Sequence, residues 1–412
     1  MRRLMRSYRR ERMVPMASDR IRFVHCADVH LDFPFGGRGL RGYSEVRRKD
    51  VWMTFESIIR LASDERADFM LVCGDLYEHD YASRDTIRRV SGMFEQLMIP
   101  VIIIPGNHDP YAANSWYRTW KWPDKVVILN PERPSVRLDD LDTFIHGVGF
   151  SAFRQDSPDL SAVSRPDKSL FNIFMLHGTL DMNFSDNPFN PVSSDSLSGL
   201  GYDYYALGHF HNPKTDFMLK NAANPGSPEP LGFDETGEHG VLLVTIEKNE
   251  TGRKSLDIRH VNLARRRYVW LELDMEAVSG QDEAGSRLGK LLERLEPGRD
   301  IPRVILKGRT SLALDCDALK EPWLDRYPWL QILDETRECY DYKALSMEKN
   351  LKGAFVREML RRIDECRASG NDEQEMILSA ALDLGIEALE KGRIDTRFDA
   401  GLFRKSRTGE VG

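Results

Sequence analysis

Apolar positions in the first hundred residues fall into two alternating patterns. Strand-length runs at 21–27, 69–73 and 101–104 are separated by segments in which Val51, Phe55, Ile58, Ile59 and Ala62, then Ile87, Val90, Phe94 and Leu97, recur at helical spacing. The order strand, helix, strand, helix, strand predicts a parallel sheet with right-handed crossovers. Connections then shorten, and β-like runs at 126–129, 143–148, 171–176, 204–207 and 241–246 predict a second sheet. After Arg265-Arg266-Arg267 the pattern changes again. Residues 268–274 read as a strand, 281–295 as a helix and 304–307 as a strand, a small α+β unit of its own. Toward the end Leu351, Phe355, Val356, Met359, Leu360 and Ile363 form a wide helical stripe, and Ile377, Ala381, Leu384 and Ala388 offer a matching face. The expected organisation is a basic, disordered leader at 1–19, a main α/β domain at 20–265, a cap at 266–340 and a helical segment at 341–412.

Composition narrows the class. With 412 residues, 41% of them apolar, the chain can bury a large core and exceeds one typical domain. Five scattered cysteines, none in a C-x-x-C pair, fit a reduced, cytoplasmic setting better than a disulfide or zinc framework. No apolar run approaches the roughly 20 residues of a membrane span. The six arginines among the first twelve residues have no apolar stretch behind them, so they do not read as a signal peptide; a translation start at Met13 or Met16 competes with the leader reading. A net charge of −7 argues against coating nucleic acid by bulk charge, but not against gripping phosphates through metal ions.

The chemistry gathers where strands stop. Pro105-Gly106 ends the 101–104 run abruptly, so Asn107, His108 and Asp109 project from its carboxyl end, where open α/β sheets place ligand sites. The first run ends in Asp28-Val29-His30, whose period of two puts both side chains on one side. The second ends in Gly74-Asp75, and later runs end in His177-Gly178 and Gly208-His209-Phe210-His211. Asp28, His30, Asp75, Asn107, His177, His209 and His211 are too many ligands for one ion. They suit a pair of divalent cations sharing a carboxylate, and the mixture of imidazole, carboxylate and amide favours Mn²⁺, Fe²⁺ or Zn²⁺ over Ca²⁺ or Mg²⁺.

The ordered set D-x-H, G-D, G-N-H-D, H-G and G-H-x-H resembles the calcineurin-like metallophosphoesterase superfamily. Within it, His25-Cys-Ala-Asp-Val-His-Leu31, Leu71-Val-Cys-Gly-Asp-Leu-Tyr77 and Pro225-Gly-Ser-Pro228 resemble SbcD-type (Mre-eleven-like, YhaO-like) DNA repair nuclease subunits over roughly residues 20–310. The resemblance implies a two-sheet αββα sandwich with a small α+β cap and C-terminal helices. It implies one metal on Asp28, His30, Asp75 and His211, and a second on Asp75, Asn107, His177 and His209, with Mn²⁺ the first candidate. A water activated by both ions would attack the phosphodiester, while His108 assists the leaving oxygen and Asp109 orients its ring. Implied partners are DNA, met by the cap; an SbcC-like ATPase of the structural-maintenance type, held by the C-terminal helices; and a second copy of the chain in a homodimer. The alternatives on the same scaffold are a small-molecule or phosphoprotein phosphoesterase and a non-catalytic scaffold for an ATPase.

Other residues read as structural. Archaeal relatives have a histidine three residues after the G-D aspartate; here Glu78 stands there and reads as a solvated loop acid. His25, His146, His239 and His260 lie off the motifs, and Cys26 and Cys73 read as small buried hydrophobes. Arg47, Arg48 and Lys49 read as a solvated helix face, with contact to DNA phosphates as the alternative. In Trp116-Tyr-Arg-Thr-Trp-Lys-Trp122, a packed helix face competes with stacking on unpaired bases.

Overall fold

A computed structural model describes residues 19–36, 42–155, 157–158, 160–161, 163–181 and 189–392. The predicted leader, apart from Asp19, and residues 393–412 of the predicted helical segment lie outside the described residues. The described chain divides into two compact units. One contains the residues up to Leu273 together with Ala284–Leu306 and Asp315–Asp334; the other contains Asp274–Glu283, Lys307–Leu314 and the chain from Glu335 onward.

The first unit begins with β1 (Arg20–Cys26), α1 (Tyr43–Asp64), β2 (Phe69–Cys73), α2 (Arg84–Gln96) and β3 (Val101–Ile104), followed by the short α3 (Trp116–Thr119) and β4 (Val126–Ile128). Then come β5 (Ser135–Leu138), β6 (Thr143–Val148), β7 (Phe171–His177), α4 (Ser194–Ser198), β8 (Tyr204–Gly208), β9 (Ala222–Ala223), β10 (Gly240–Lys248) and β11 (Lys254–Asn262). Two sheets result, in the orders β11-β10-β1-β2-β3-β4 and β5-β6-β7-β8-β9. Neighbours from β1 to β4 and from β6 to β9 run parallel.

The period-two pattern explains why the sheets stack. Phe23, Leu71 and Ile102 point from the first sheet into a core shared with Ile145, Ile173, Met175 and Ala206 of the second. Their alternates Val24, Val72 and Ile103 point outward, against Phe55 and Ile58 of α1 and Val90 and Phe94 of α2. On the far face of the second sheet Phe174, Leu176, Tyr205 and Leu207 pack with Leu197 of α4. Strands buried on both faces read as continuous apolar runs, as β2 and β3 do.

A small third sheet, β12-β13-β15, joins β12 (Arg267–Asp274) and β13 (Asp300–Lys307), linked by α5 (Gln281–Leu292), to β15 (Gln331–Asp334). Between β13 and β15 the chain forms β14 (Arg309–Thr310) and α6 (Cys316–Lys320); β16 (Arg337–Glu338) pairs with β14.

In the second unit, α7 (Tyr342–Ser346), α8 (Leu351–Ser369) and α9 (Asp372–Lys391) close the described chain. The two long helices do pack on each other, through Val356, Met359 and Ile363 of α8 and Leu382 and Ile386 of α9. The contact face is rotated from the predicted one, since Leu351 is 73% exposed and Ile377 is also exposed. The buried Asp383 explains the rotation: Arg309 grips it with both terminal nitrogens, and Tyr342 donates to it as well. Turning a carboxylate inward to a guanidinium brings its neighbour Leu382 with it.

One sequence reading is corrected here. Arg47 is not on a solvated face; it is fully buried, donating to Asp50, Glu229 and the Pro230 carbonyl oxygen at 2.6–2.8 Å. The aromatic segment packs as its four-residue spacing suggests: α3 is one helical turn, and Trp116 and Trp120 lie against the core together with Trp122.

Candidate metal centre

Five strands deliver the candidate residues to one place. Asp28 and His30 follow β1, Asp75 follows β2, Asn107 to Asp109 follow β3, His177 ends β7, and His209 and His211 follow β8. The turns that aim them are strained: Asp28, His30, Asp75 and His209 have φ of 52°, 51°, 51° and 99°. Left-handed conformations of this kind cost on the order of 1 kcal/mol or more per residue and persist only where the surroundings impose them.

Asp109 imposes one of them. Gly74 at φ 87° and Asp75 at 51° turn successive amides inward, and the buried Asp109 carboxylate accepts from Asp75 N, Leu76 N and Gly106 N at 3.1, 2.6 and 2.6 Å, and from the Tyr117 hydroxyl at 2.6 Å. Asp109 therefore does not orient the His108 ring, as the sequence had suggested; its oxygens are spent on the backbone that presents Asp75. Burial, together with the charge of Asp75, raises its carboxyl to about 6. Gly74 is required sterically too, since a Cβ there would lie 2.1 Å from His177 Nδ1.

Among the described residues, Asp28, His30 and His211 bring ligand atoms within 4.8 Å of one another, and so do Asp75, His177 and His209. His30 Nδ1–H donates to Glu78 Oε1 and His211 Nδ1–H to Glu235 Oε1, both at 2.7 Å. Their Nε2 atoms then face each other at 3.1 Å with a lone pair on each. On the other side His177 Nδ1–H donates to the Cys73 carbonyl oxygen at 2.7 Å. That leaves His177 Nε2 as an acceptor 3.0 Å from Asn107 Oδ1 and 3.2 Å from Asp75 Oδ2. His209 Nδ1 also lies 3.0 Å from Asn107 Oδ1. Acceptors brought this close need positive charge between them, and imidazoles with the far nitrogen tied to an oxygen are how proteins present metal ligands. The donor set, imidazole, carboxylate and amide, fits divalent metals.

Without such ions, protons would have to supply the charge. Burial lowers His177 and His211, but Asp75 and Glu235 respectively outweigh it and lift each to about 9. Burial and the charge of His177 push His209 down to about 3. Burial raises Asp75, yet the charge and hydrogen bond of His177, with His30 and His108, hold it well below the usual carboxylate range. Asp28, fully buried, is raised, chiefly by burial, although His209 N–H donates to both its oxygens at 3.0 and 2.9 Å.

His108 stands apart. Its backbone N–H donates to Asp75 Oδ1 at 2.8 Å, while its side chain is 41% exposed and donates from Nδ1 to Glu78 Oε2 at 3.0 Å. Glu78 is thus not a solvated loop acid; it is buried and holds two histidines at once. Burial raises Glu78, but the hydrogen bonds from His108 and His30 bring it down to about 2. Glu235 escaped sequence reasoning entirely. It lies 24 positions after His211 in an irregular loop, held there by Ser227 Oγ at 2.5 Å and Leu231 N at 2.9 Å. The Ser227 of the Pro225-Gly-Ser-Pro228 motif was the one signal that pointed toward it.

Comparison with known proteins agrees with this geometry. Residues 21–213 match the family described as calcineurin-like phosphoesterase. The metallophosphoesterase YhaO of Bacillus subtilis (strain 168) is 32% identical over 240 residues, covering 55% of this chain and 58% of YhaO, so the match spans less than two thirds of that relative. The DNA double-strand break repair protein Mre11 of Methanopyrus kandleri is 25% identical over 408 residues, covering 92% of this chain and 85% of that one. Its namesake in Archaeoglobus fulgidus is 26% identical over 349 residues, covering 76% and 73%. Residues 21–213 therefore carry a calcineurin-like metallophosphoesterase domain.

Proposed function

We propose that the protein is a binuclear, Mn²⁺-dependent phosphodiesterase that hydrolyses DNA. The observation that carries the metal centre is the pair of imidazole Nε2 atoms 3.1 Å apart, each with its other nitrogen committed to a buried carboxylate. Asp28, His30, Asp75 and His211 would hold one ion, and Asp75, Asn107, His177 and His209 the other, with Asp75 shared. Two divalent ions supply a nucleophile from water near neutral pH and offset the charge of the phosphate. The chain's own residues do the rest. His108 is fixed by its backbone on Asp75 and by Nδ1 on Glu78, so Nε2 is the nitrogen left to face a substrate; it donates a proton or hydrogen bond to the leaving oxygen. Burial lowers His108, but the Glu78 hydrogen bond and the charges of Asp75, Glu78 and Asp109 lift it to about 9, so it carries the proton it has to give at neutral pH.

DNA as substrate is supported by the Mre11 relatives, named as DNA double-strand break repair proteins, whose similarity runs through most of the chain. Residues 266–340 would be the DNA-contacting cap. The residues after 340 would bind an SbcC-like ATPase. In support, Leu351 (73% exposed), Met376 (48%) and Leu389 remain at the surface although α8 and α9 already share a core. Mn²⁺-dependent digestion of end-labelled duplex and single-stranded DNA tests the substrate: shortening of labelled strands supports the proposal, while turnover of bis(p-nitrophenyl) phosphate with intact DNA makes it a small-molecule phosphoesterase. For the partner, replacing Leu351, Met376 and Leu389 by Glu in the full chain keeps the Arg309–Asp383 pair and should abolish co-purification of the ATPase without loss of phosphodiesterase turnover.

A further inference from the structure

Glu78 makes two contacts that the metal centre alone does not require. Its Oε1 accepts from His30 Nδ1 at 2.7 Å and its Oε2 accepts from His108 Nδ1 at 3.0 Å. The two rings stand 4.8 Å apart at 83°, so one carboxylate sets the direction of both remaining nitrogens, His30 Nε2 and His108 Nε2. The backbone holds this strut from both sides: Glu78 N–H donates to the Leu31 carbonyl oxygen and His79 N–H to that of His108, each at 3.0 Å. Glu78 is buried, and no other hydrogen bond to its carboxylate is present among the described residues.

We propose that Glu78 is a positioning residue shared by the metal centre and the leaving-group donor, so that a single carboxylate holds His30 in ligating register and His108 in donating register. The proposal rests on the reading of the site as a phosphodiesterase metal centre. Its distinctive consequence comes from hydrogen-bond arithmetic. A carboxylate accepts from both imidazoles, whereas an amide has one acceptor oxygen and one donor nitrogen and can serve only one of them. Glu78→Gln must therefore weaken metal binding, leaving-group assistance or both, while Glu78→Asp keeps both acceptors on a shorter stem.

The test uses the full chain and four variants, Glu78→Gln, Glu78→Asp, His108→Asn and the Glu78→Gln/His108→Asn double variant. Mn²⁺ affinity is measured by calorimetry after chelator treatment. Turnover at saturating Mn²⁺ is compared on thymidine 5′-(p-nitrophenyl phosphate), whose leaving group needs little help, and on a dinucleotide, whose alkoxide leaving group needs a donor. The expected results are a roughly 10- to 100-fold weaker Mn²⁺ affinity for Glu78→Gln, and a kcat loss on the dinucleotide of on the order of 10²-fold against only a few-fold on the nitrophenyl ester. Glu78→Asp should recover part of both. The Glu78→Gln change should cost no further dinucleotide turnover once His108 is Asn, because residues acting as a unit are not additive. Wild-type Mn²⁺ affinity in Glu78→Gln, equal losses on the two substrates, or additive losses in the double variant would each overturn the proposal. If Glu78→Gln does not fold, Glu78→Asp and the His108→Asn affinity decide: Mn²⁺ binding in His108→Asn must stay at least as tight as in the wild type. Failure of the wild-type protein to bind two equivalents of Mn²⁺ or to turn over the nitrophenyl ester would instead sink the metal-centre reading itself.

Discussion

The two sides of the proposed metal centre are built from similar side chains but backed differently. On the side of Asp28, His30 and His211, each imidazole leans on a buried carboxylate, Glu78 or Glu235. On the side of Asn107, His177 and His209, the backing for His177 is the Cys73 carbonyl oxygen, and the amide of Asn107 carries no charge. Apart from Asp75, which is proposed to be shared, negative charge is concentrated on the first side. A cation is stabilised by that charge and by the greater basicity of carboxylate-backed imidazoles, so the first side should bind its ion more tightly and the second should exchange its ion more readily.

The change expected to do most damage is Asp75→Asn, which removes the carboxylate proposed to be shared by the two sides, its Oδ2 lying 3.7 Å from His30 Nε2 and 3.2 Å from His177 Nε2. Elemental analysis should find both ions lost, with an affinity penalty beyond the roughly 100-fold ceiling typical of residues that only support a ligand; two ions retained would mean that another residue bridges. Next comes His108→Ala, which should leave both ions in place and reduce kcat by roughly 10² to 10⁴. A metal lost by this variant would make His108 a ligand instead. Glu235→Gln should weaken only the tighter ion, by roughly 10- to 100-fold, because Glu235 touches His211 and no residue of the other side.

A smaller, graded effect comes from pH. In the metal-free protein His177 and His211, each raised to about 9, hold protons at neutral pH, and metal ions must displace them. Mn²⁺ affinity should therefore rise as pH increases from 7 toward 9, by up to about tenfold per pH unit for each proton released, and level off above 9. Calorimetry in buffers of different ionisation enthalpy counts those protons; binding without proton release would contradict the assignment of His177 and His211.

How much of this was legible in the sequence follows the same divide. The strands that carry the candidate ligands are buried on both faces, and such strands announce themselves as apolar runs with polar residues at their ends. Asp28, His30, Asp75, Asn107, His177, His209 and His211 could therefore be named before the fold was known, and the structure brings them together. β11 was not recognised because it is an edge strand in which Leu256, Ile258 and Val261 are interleaved with Lys254, Asp257, Arg259 and Asn262, too weak an apolar signal to stand out. Glu78 and Glu235 were missed or misread because an acid in a loop carries no periodicity; its role depends on which histidine the fold brings beside it. Asp109 was assigned to the wrong neighbour, since adjacency in sequence to His108 says nothing about where a carboxylate points when several backbone amides converge on it. The rotation of α8 against α9 was likewise set by a pair 74 residues apart, Arg309 and Asp383.

The most direct test of the account is a calorimetric titration of the chelator-treated full chain with Mn²⁺. It predicts two equivalents per chain at two unequal affinities, with only the tighter one weakened in Glu235→Gln. One equivalent, or two sites of equal affinity that Glu235→Gln leaves unchanged, would contradict it.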